Sequence, residues 1–181
     1  MSKVPALRFS HIGLFCVDIE RMAEFYHRHL GFTITDRGEL PGADLVFLSR
    51  DPTEHHQIAL VSGRPEGLPN LIVNQISFRV ESLDDLRAVW KGLPLDLVSD
   101  VHPINHGNAW ALYFRDPEGN RLEIYLDTDW YIAQPCREPL NLHLSNEEIR
   151  AETRAFCEGQ PGFEPVESWR ARIAEKIRAG A

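Results

Sequence analysis

His11-Ile-Gly-Leu-Phe15 and Gln75-Ile-Ser-Phe-Arg79 stand 64 residues apart and open two similar stretches of chain. Behind the first comes Asp18-Ile-Glu-Arg-Met-Ala-Glu-Phe-Tyr26, and behind the second Ser82-Leu-Asp-Asp-Leu-Arg-Ala-Val-Trp90. The same offset sets Ala59, within Ile58-Ala-Leu-Val61, against Glu123, within Leu122-Glu-Ile-Tyr125. A repeat of this length implies two copies of one supersecondary unit, each needing the other to cover an apolar face. Three of the four matched positions, His11, Gln75 and Glu123, carry groups able to bind a metal.

Working outward, residues 8–17 read as a strand, and Asp18 to Leu30 as an amphipathic helix with Met22, Phe25, Tyr26 and Leu30 on one side. Gly31 is placed to end that helix in the left-handed conformation. Phe32–Asp36, Asp44–Ser49 and Gln57–Val61 are candidate strands separated by Pro41-Gly42 and Asp51-Pro52. After a linker at 63–69, the second copy reads as a strand at 73–80, a helix at 83–92 and strands near 95–99, 109–114 and 121–126. Asp116-Pro-Glu-Gly-Asn120 is a turn signature before the last strand. The expectation is an α+β chain of paired βαβββ modules, about 8–63 and 73–128, forming a cupped, partly open mixed β-barrel. The domain so formed spans 1–135, and residues 136–181 form an arm and helices, with Ser145 and Glu148 spaced as a capping box.

Composition narrows the function. Of 181 residues, 43% are hydrophobic, enough for a core, and no apolar run is long enough to span a bilayer. The formal charge of −8 argues against a nucleic-acid surface. The start of the chain has no apolar targeting core. Cys16, Cys136 and Cys157 have no CxxC spacing and read as free thiols in a reducing cytoplasm.

The candidate chemistry lies at strand ends. His11 reads either as an edge histidine or as a ligand. On period two, Glu123 shares a face with Arg121 and Tyr125 while Leu122 and Ile124 point into the core. A carboxylate so placed is solvent-exposed or compensated by a metal or an arginine. Gln75 reads as a ligand through its amide oxygen, or as a hydrogen-bonding partner of a neighbouring strand. His55 and His56 alternate in direction, so only one can enter a given cavity. His106 precedes Gly107 and the aromatic strand carrying Tyr113. Together these histidines and the carboxylate outline an acid–base pocket.

At these residues the chain resembles the vicinal oxygen chelate superfamily. Within it, the chain is similar to the one-domain type I extradiol catechol dioxygenases of the biphenyl-2,3-diol 1,2-dioxygenase-like group. The resemblance covers residues 8–135 and is most specific in His106-Gly-Asn-Ala-Trp-Ala-Leu-Tyr-Phe-Arg-Asp-Pro-Glu-Gly-Asn-Arg-Leu-Glu-Ile-Tyr125. It implies that His11, Gln75 and Glu123 hold a metal, Fe(II) first, with Mn(II), Ni(II), Co(II) or Zn(II) as alternatives. It implies His56 as an acid–base group, and His106 and Tyr113 as residues binding the substrate oxygens. The family's second histidine ligand is Gln75 here, a departure from two histidines and one carboxylate.

The implied activity is ring cleavage of a catechol-type or 2,3-dihydroxybiphenyl-like diol by dioxygen. The expected substrate is an apolar aromatic diol rather than a phosphorylated or strongly anionic one, because no basic cluster or phosphate-binding glycine loop accompanies the ligand set. Two alternatives stand beside it. A non-redox, glyoxalase-like lyase or isomerase is compatible with an amide ligand, although Ala59 stands where that branch has a glutamate. A non-catalytic aromatic-ligand binding protein is the other. A cytoplasmic homodimer without nucleic-acid or membrane partners completes the expectation.

Overall fold

In the computed structural model of the chain, the described residues are 11–51, 56–64, 73, 75–133 and 136–179. The outer part of the first expected strand, His55 and most of the expected linker lie outside them. The chain divides into two compact units, residues 1–72 and 73–181.

The first unit runs β1 (Ile12–Phe15), α1 (Ile19–Leu30), β2 (Thr33–Leu40), β3 (Ala43–Ser49) and β4 (Ile58–Val61). Its sheet has the order β1-β4-β3-β2, with β1 and β4 parallel and the other pairs antiparallel. Local chemistry sets α1. The Asp18 side chain accepts a hydrogen bond from Arg21 N, satisfying one of the free donors of the first turn. Gly31, at φ 69°, ends the helix. Met22, Phe25, Tyr26 and Leu30 are buried, and α1 packs on β3 and β4.

The second unit repeats this order as β5 (Ile76–Arg79), α2 (Leu83–Gly92), β6 (Ser99–Asn105), β7 (Ala109–Arg115) and β8 (Arg121–Asp127). Here β5 is parallel to β8, and β6, β7 and β8 are antiparallel neighbours. The repeat extends to register: Gly13 pairs with Ala59 in the first unit and Ser77 with Glu123 in the second, both shifted by 64. Leu112, Phe114, Leu122 and Ile124 are buried, and α2 packs on β7 and β8. By alternation, Tyr113, Arg121, Glu123 and Tyr125 share the opposite face.

One element departs from the sequence reading. The strand expected near 95–99 begins only at Ser99 and continues to Asn105. Leu97 N and Val98 N both donate to Pro94 O, so the backbone there is satisfied by a local turn, and Leu95 is exposed. Pro103 lends no donor to β6, but its carbonyl accepts from Leu140 N.

The C-terminal residues belong to the second unit. The arm forms β10 (Glu138–Pro139), which pairs with β6, and Leu140 and Leu142 are buried behind it. Helix α3 (Asn146–Glu158) has both halves of the capping box: Ser145 Oγ accepts from Glu148 N, and the Glu148 carboxylate accepts from Ser145 N. Its inner side is pinned to β7 and β6, because Trp110 Nε1 and Asn105 Nδ2 both donate to the buried Thr153 Oγ1, at 2.8 and 3.0 Å. A two-stranded ribbon of β9 (Trp130–Tyr131) and β11 (Glu164–Pro165) leads into α4 (Val166–Ala179), whose Trp169 stacks on Tyr131. Ser145→Ala removes the cap and should cost about 1 kcal/mol. Thermal denaturation should then show a fall of roughly 2–4 °C, whereas an unchanged midpoint would mean that α3 is held by packing alone.

Cys16 and Cys157 are buried, Cys136 is half-buried, and none of the three forms a disulfide. Burial pushes the Cys136 and Cys157 thiols up from their ordinary range. Among the described residues, no helix is long and apolar enough to cross a membrane.

Candidate functional site

The six residues singled out from the sequence fall into two clusters, one in each unit. In the first unit, His11 lies just before β1 and His56 just before β4. Parallel pairing of the two strands, continued by Ile12 N donating to Gln57 O, brings the imidazoles to 4.3 Å between centroids. Phe47 packs on His56 from β3, at 5.0 Å.

In the second unit, Gln75, Glu123, Tyr113 and His106 form a continuous hydrogen-bonded set. Glu123 is only 9% exposed, so its carboxylate depends on internal partners. Tyr113 sits opposite it on β7 and donates to Oε1. Ser77, opposite it on β5, donates to Oε2, as does Gln75 Nε2 at 2.9 Å. The bland reading of Gln75, a hydrogen bond to a neighbouring strand, is therefore realised at its nitrogen.

His106 extends the set. Its Nδ1 lies 2.6 Å from Cys136 O and its Nε2 lies 2.9 Å from Tyr113 Oη. The carbonyl only accepts, so Nδ1 carries a proton. Hydrogen bonds thus run from Cys136 O through the imidazole and the phenol to the carboxylate. Burial pushes the Tyr113 phenol well above the ordinary tyrosine range. Its hydrogen bond to Glu123 and the Glu123 charge act in the same direction, while Arg121 and Arg137 oppose them. Tyr113 thus stays protonated and acts as a donor.

The donor set can be tested against a metal on its own chemistry. Among the described residues, no three His, Cys, Asp or Glu side chains cluster as ligands, so any metal here must also use an amide or another oxygen. Gln75 meets that need: its nitrogen is used by Glu123 and Ser77, and its Oε1 makes no hydrogen bond to a described residue. Glu123 accepts three hydrogen bonds where a carboxylate has about four acceptor positions. An amide oxygen and a carboxylate, both in the second unit, suit a divalent cation. The residues fit such a group.

Sequence reasoning missed four participants. Ser77 was visible in principle, since it follows Gln75 by two and occupies the Gly13 position of the repeat, opposite the Ala59/Glu123 position. His102 stacks on Tyr113 at 5.5 Å, and the guanidinium carbons of Arg121 and Arg137 lie 4.7 and 5.5 Å from the Tyr113 ring centroid. They come from three separate segments; of these the sequence placed only Arg121, on the face of Glu123, and no local run announced its meeting with His102 and Arg137.

Comparison with known proteins agrees with this architecture. Residues 8–124 match the Glyoxalase/Bleomycin resistance protein/Dioxygenase superfamily. The chain belongs to this superfamily. It is 29% identical over 178 residues to biphenyl-2,3-diol 1,2-dioxygenase 3 of Rhodococcus globerulus, covering 96% of this chain and 83% of that one. It is also 29% identical over 125 residues to biphenyl-2,3-diol 1,2-dioxygenase 2 of the same organism, covering 66% of this chain and 63% of that relative. Among solved structures, a glyoxylase/bleomycin resistance protein/dioxygenase domain from Frankia sp. EAN1pec matches with a TM-score of 0.54 at 23% identity, covering 70% of this chain and all of that one. The fosfomycin resistance protein FosX from Mesorhizobium loti matches at 0.51 and 20% identity, covering 70% and 94%. At those identities the structures establish the superfamily's mixed α+β fold for this chain.

Proposed function

We propose that the protein is an Fe(II)-dependent extradiol dioxygenase that opens the ring of a catechol-type diol. The observation that carries this reading is the hydrogen-bonded relay of His106, Tyr113 and Glu123, because ring opening needs protons held and moved beside the substrate oxygens. The similarity to biphenyl-2,3-diol dioxygenases over nearly the whole chain supports it. His11, Gln75 and Glu123 would hold the iron, which when bound supplies a common site for the diol oxygens and dioxygen. The chain's own groups do the rest. Tyr113, protonated and fixed between Glu123 and His106, orients a substrate oxygen by hydrogen bonding. The relay takes up the proton that the diol loses on binding. His56, held against His11 and Phe47, is the group for proton return to oxygen.

Protein loaded anaerobically with Fe(II) and then given oxygen and 2,3-dihydroxybiphenyl or substituted catechols should consume oxygen and form a yellow ring-opened product. Gln75→His should raise iron affinity at least roughly tenfold, about 1.4 kcal/mol, since an imidazole is a stronger donor than an amide. Absence of oxygen uptake across a catechol panel, in both proteins, would refute the proposal. Activity undiminished under nitrogen would instead assign the site to non-redox lyase or isomerase chemistry.

A second reading, a binding protein without turnover, is favoured by one feature. Gln75, Ser77 and Tyr113 among them give the Glu123 carboxylate three hydrogen bonds. Stoichiometric binding of a catechol by metal-free protein, with no product on iron loading, would select it.

A further inference from the structure

Two arginines beside Tyr113 have no acidic partner. Several other guanidinium groups among the described residues are paired with carboxylates: Arg37 with Glu20, Arg87 with Asp84, Arg150 with Asp129, Arg154 with Glu158. Arg121 makes no hydrogen bond or ion pair with a described residue, and its Nε is buried without a partner. Arg137 bonds only His102, through Nη2 to Nε2 at 2.9 Å. Arg121 is half-buried, so leaving its donors unpaired is costly and the ring face of Tyr113 offsets only part of that cost, while Arg137 is exposed. The chain carries 27 acidic residues against 19 basic ones, so a shortage of carboxylates does not explain the arrangement.

The register shows how these groups converge. Arg121 lies two residues before Glu123 on β8 and shares its face, and His102 on β6 sits opposite Tyr113 on β7. Arg137 arrives from the segment that enters β10, the strand added to the edge of β6. A phenol, two guanidinium groups and two imidazoles therefore surround one spot on the sheet. The neighbouring carboxylates are Glu123, bonded to Tyr113, and Asp100, 3.4 Å from His102 Nδ1 and from Arg115 Nε. Asp100 is shared with Arg115, so the two guanidinium charges are set chiefly against Glu123, leaving about one positive charge for a ligand.

We infer that this cluster binds a carboxylate carried by the substrate, so that the ligand is an acidic aromatic diol rather than a neutral one. The inference rests on the reading of the neighbouring relay as an aromatic-diol site. A carboxylate fits better than a phosphoryl group on two grounds. One excess positive charge matches a monoanion, and the donors are guanidinium groups, whose planar forks suit carboxylate geometry. A dianion would also face Glu123 at close range. This inference departs from the apolar, not strongly anionic diol expected from the sequence, because the basic residues that the sequence keeps apart at 102, 121 and 137 meet at Tyr113.

The probes are 2,3-dihydroxybenzoate and catechol, compared by titration calorimetry on the full chain, metal-free and Fe(II)-loaded under anaerobic conditions, with inorganic phosphate as competitor. The acidic diol should bind at least tenfold more tightly at low salt, with the advantage shrinking as salt rises. Phosphate should compete weakly. Arg137→Gln, at an exposed position, should remove most of the advantage, and Arg121→Gln combined with it should remove all of it. Arg154→Gln, which deletes an exposed arginine far along α3, should leave it intact. Equal affinity for the two diols, an advantage that survives the double variant, or no binding of either diol overturns the inference. Its fate is separable from that of the proposed reaction. Preferential binding without oxygen uptake would keep the carboxylate site and refute ring cleavage. Turnover of catechol and 2,3-dihydroxybenzoate with no preference between them would do the reverse.

Discussion

Gly107→Ala should lower the melting temperature by roughly 10 °C. Gly107 has φ 75°, a left-handed conformation that costs a non-glycine residue about 1–3 kcal/mol. A Cβ at this position would run into the Ile132 side chain, reaching Cγ1 at 2.8 Å, and would lie 3.1 Å from Cys157 Sγ. Ile132 and Cys157 are both fully buried, so neither can swing into solvent, and overpacking adds about 1–3 kcal/mol. The sum, about 2–6 kcal/mol, converts at roughly 2–4 °C per kcal/mol for a chain of this size. The backbone here is also tied at both ends, since Asn105 Oδ1 accepts from Gly107 N and Thr128 Oγ1 donates to Gly107 O. Displacing Gly107 displaces His106, so any activity should fall together with stability. A melting point within about 2 °C of the parent would show that Ile132 repacks freely and that the turn is not strained.

Glu123→Ala should abolish specific metal binding, a loss exceeding the roughly 10–100-fold that removal of an outer-sphere partner costs. Glu123 is the one anionic member of the proposed ligand set, and it also accepts from Tyr113, Ser77 and Gln75. Its removal takes away the charge that holds a cation and the acceptor that orients the phenol. Glu123→Gln separates the two effects. The amide keeps the volume and one acceptor oxygen, so the fold should be retained within about 1–2 kcal/mol, while metal binding falls as far as in the alanine variant. Metal content by mass spectrometry after anaerobic loading reads the first effect, and thermal melts read the second. Unchanged metal content in Glu123→Ala would move the metal site elsewhere on the protein.

The candidate site was legible in the sequence unevenly. His11, Gln75 and Glu123 stood out because the repeat placed them at equivalent strand positions, and the structure repeats that offset in its strand register. His106 and Tyr113 stood out through the motif that contains them, and the structure joins them to Glu123. Ser77 looked like an ordinary strand residue until parallel pairing set it opposite Glu123. Arg121 was seen to share a face with Glu123, but nothing local said that it would lack a partner.

What the amino-acid order determined by itself was everything carried by neighbours within a turn or two. Asp18 and Gly31 bound α1, Ser145 and Glu148 start α3, and Asp116 closes the turn before β8 by accepting from the backbone N–H groups of Glu118 and Asn120. These interactions span at most five residues, so the sequence contains both partners in one window. Only the tertiary structure decided the start of β6, the bond between Gln75 and Glu123 across 48 residues, and the meeting of His102, Arg121 and Arg137 around one phenol. Each depends on strand register and on which edge the returning arm selects. Register is set by the summed burial of whole strands, a quantity that no local window contains.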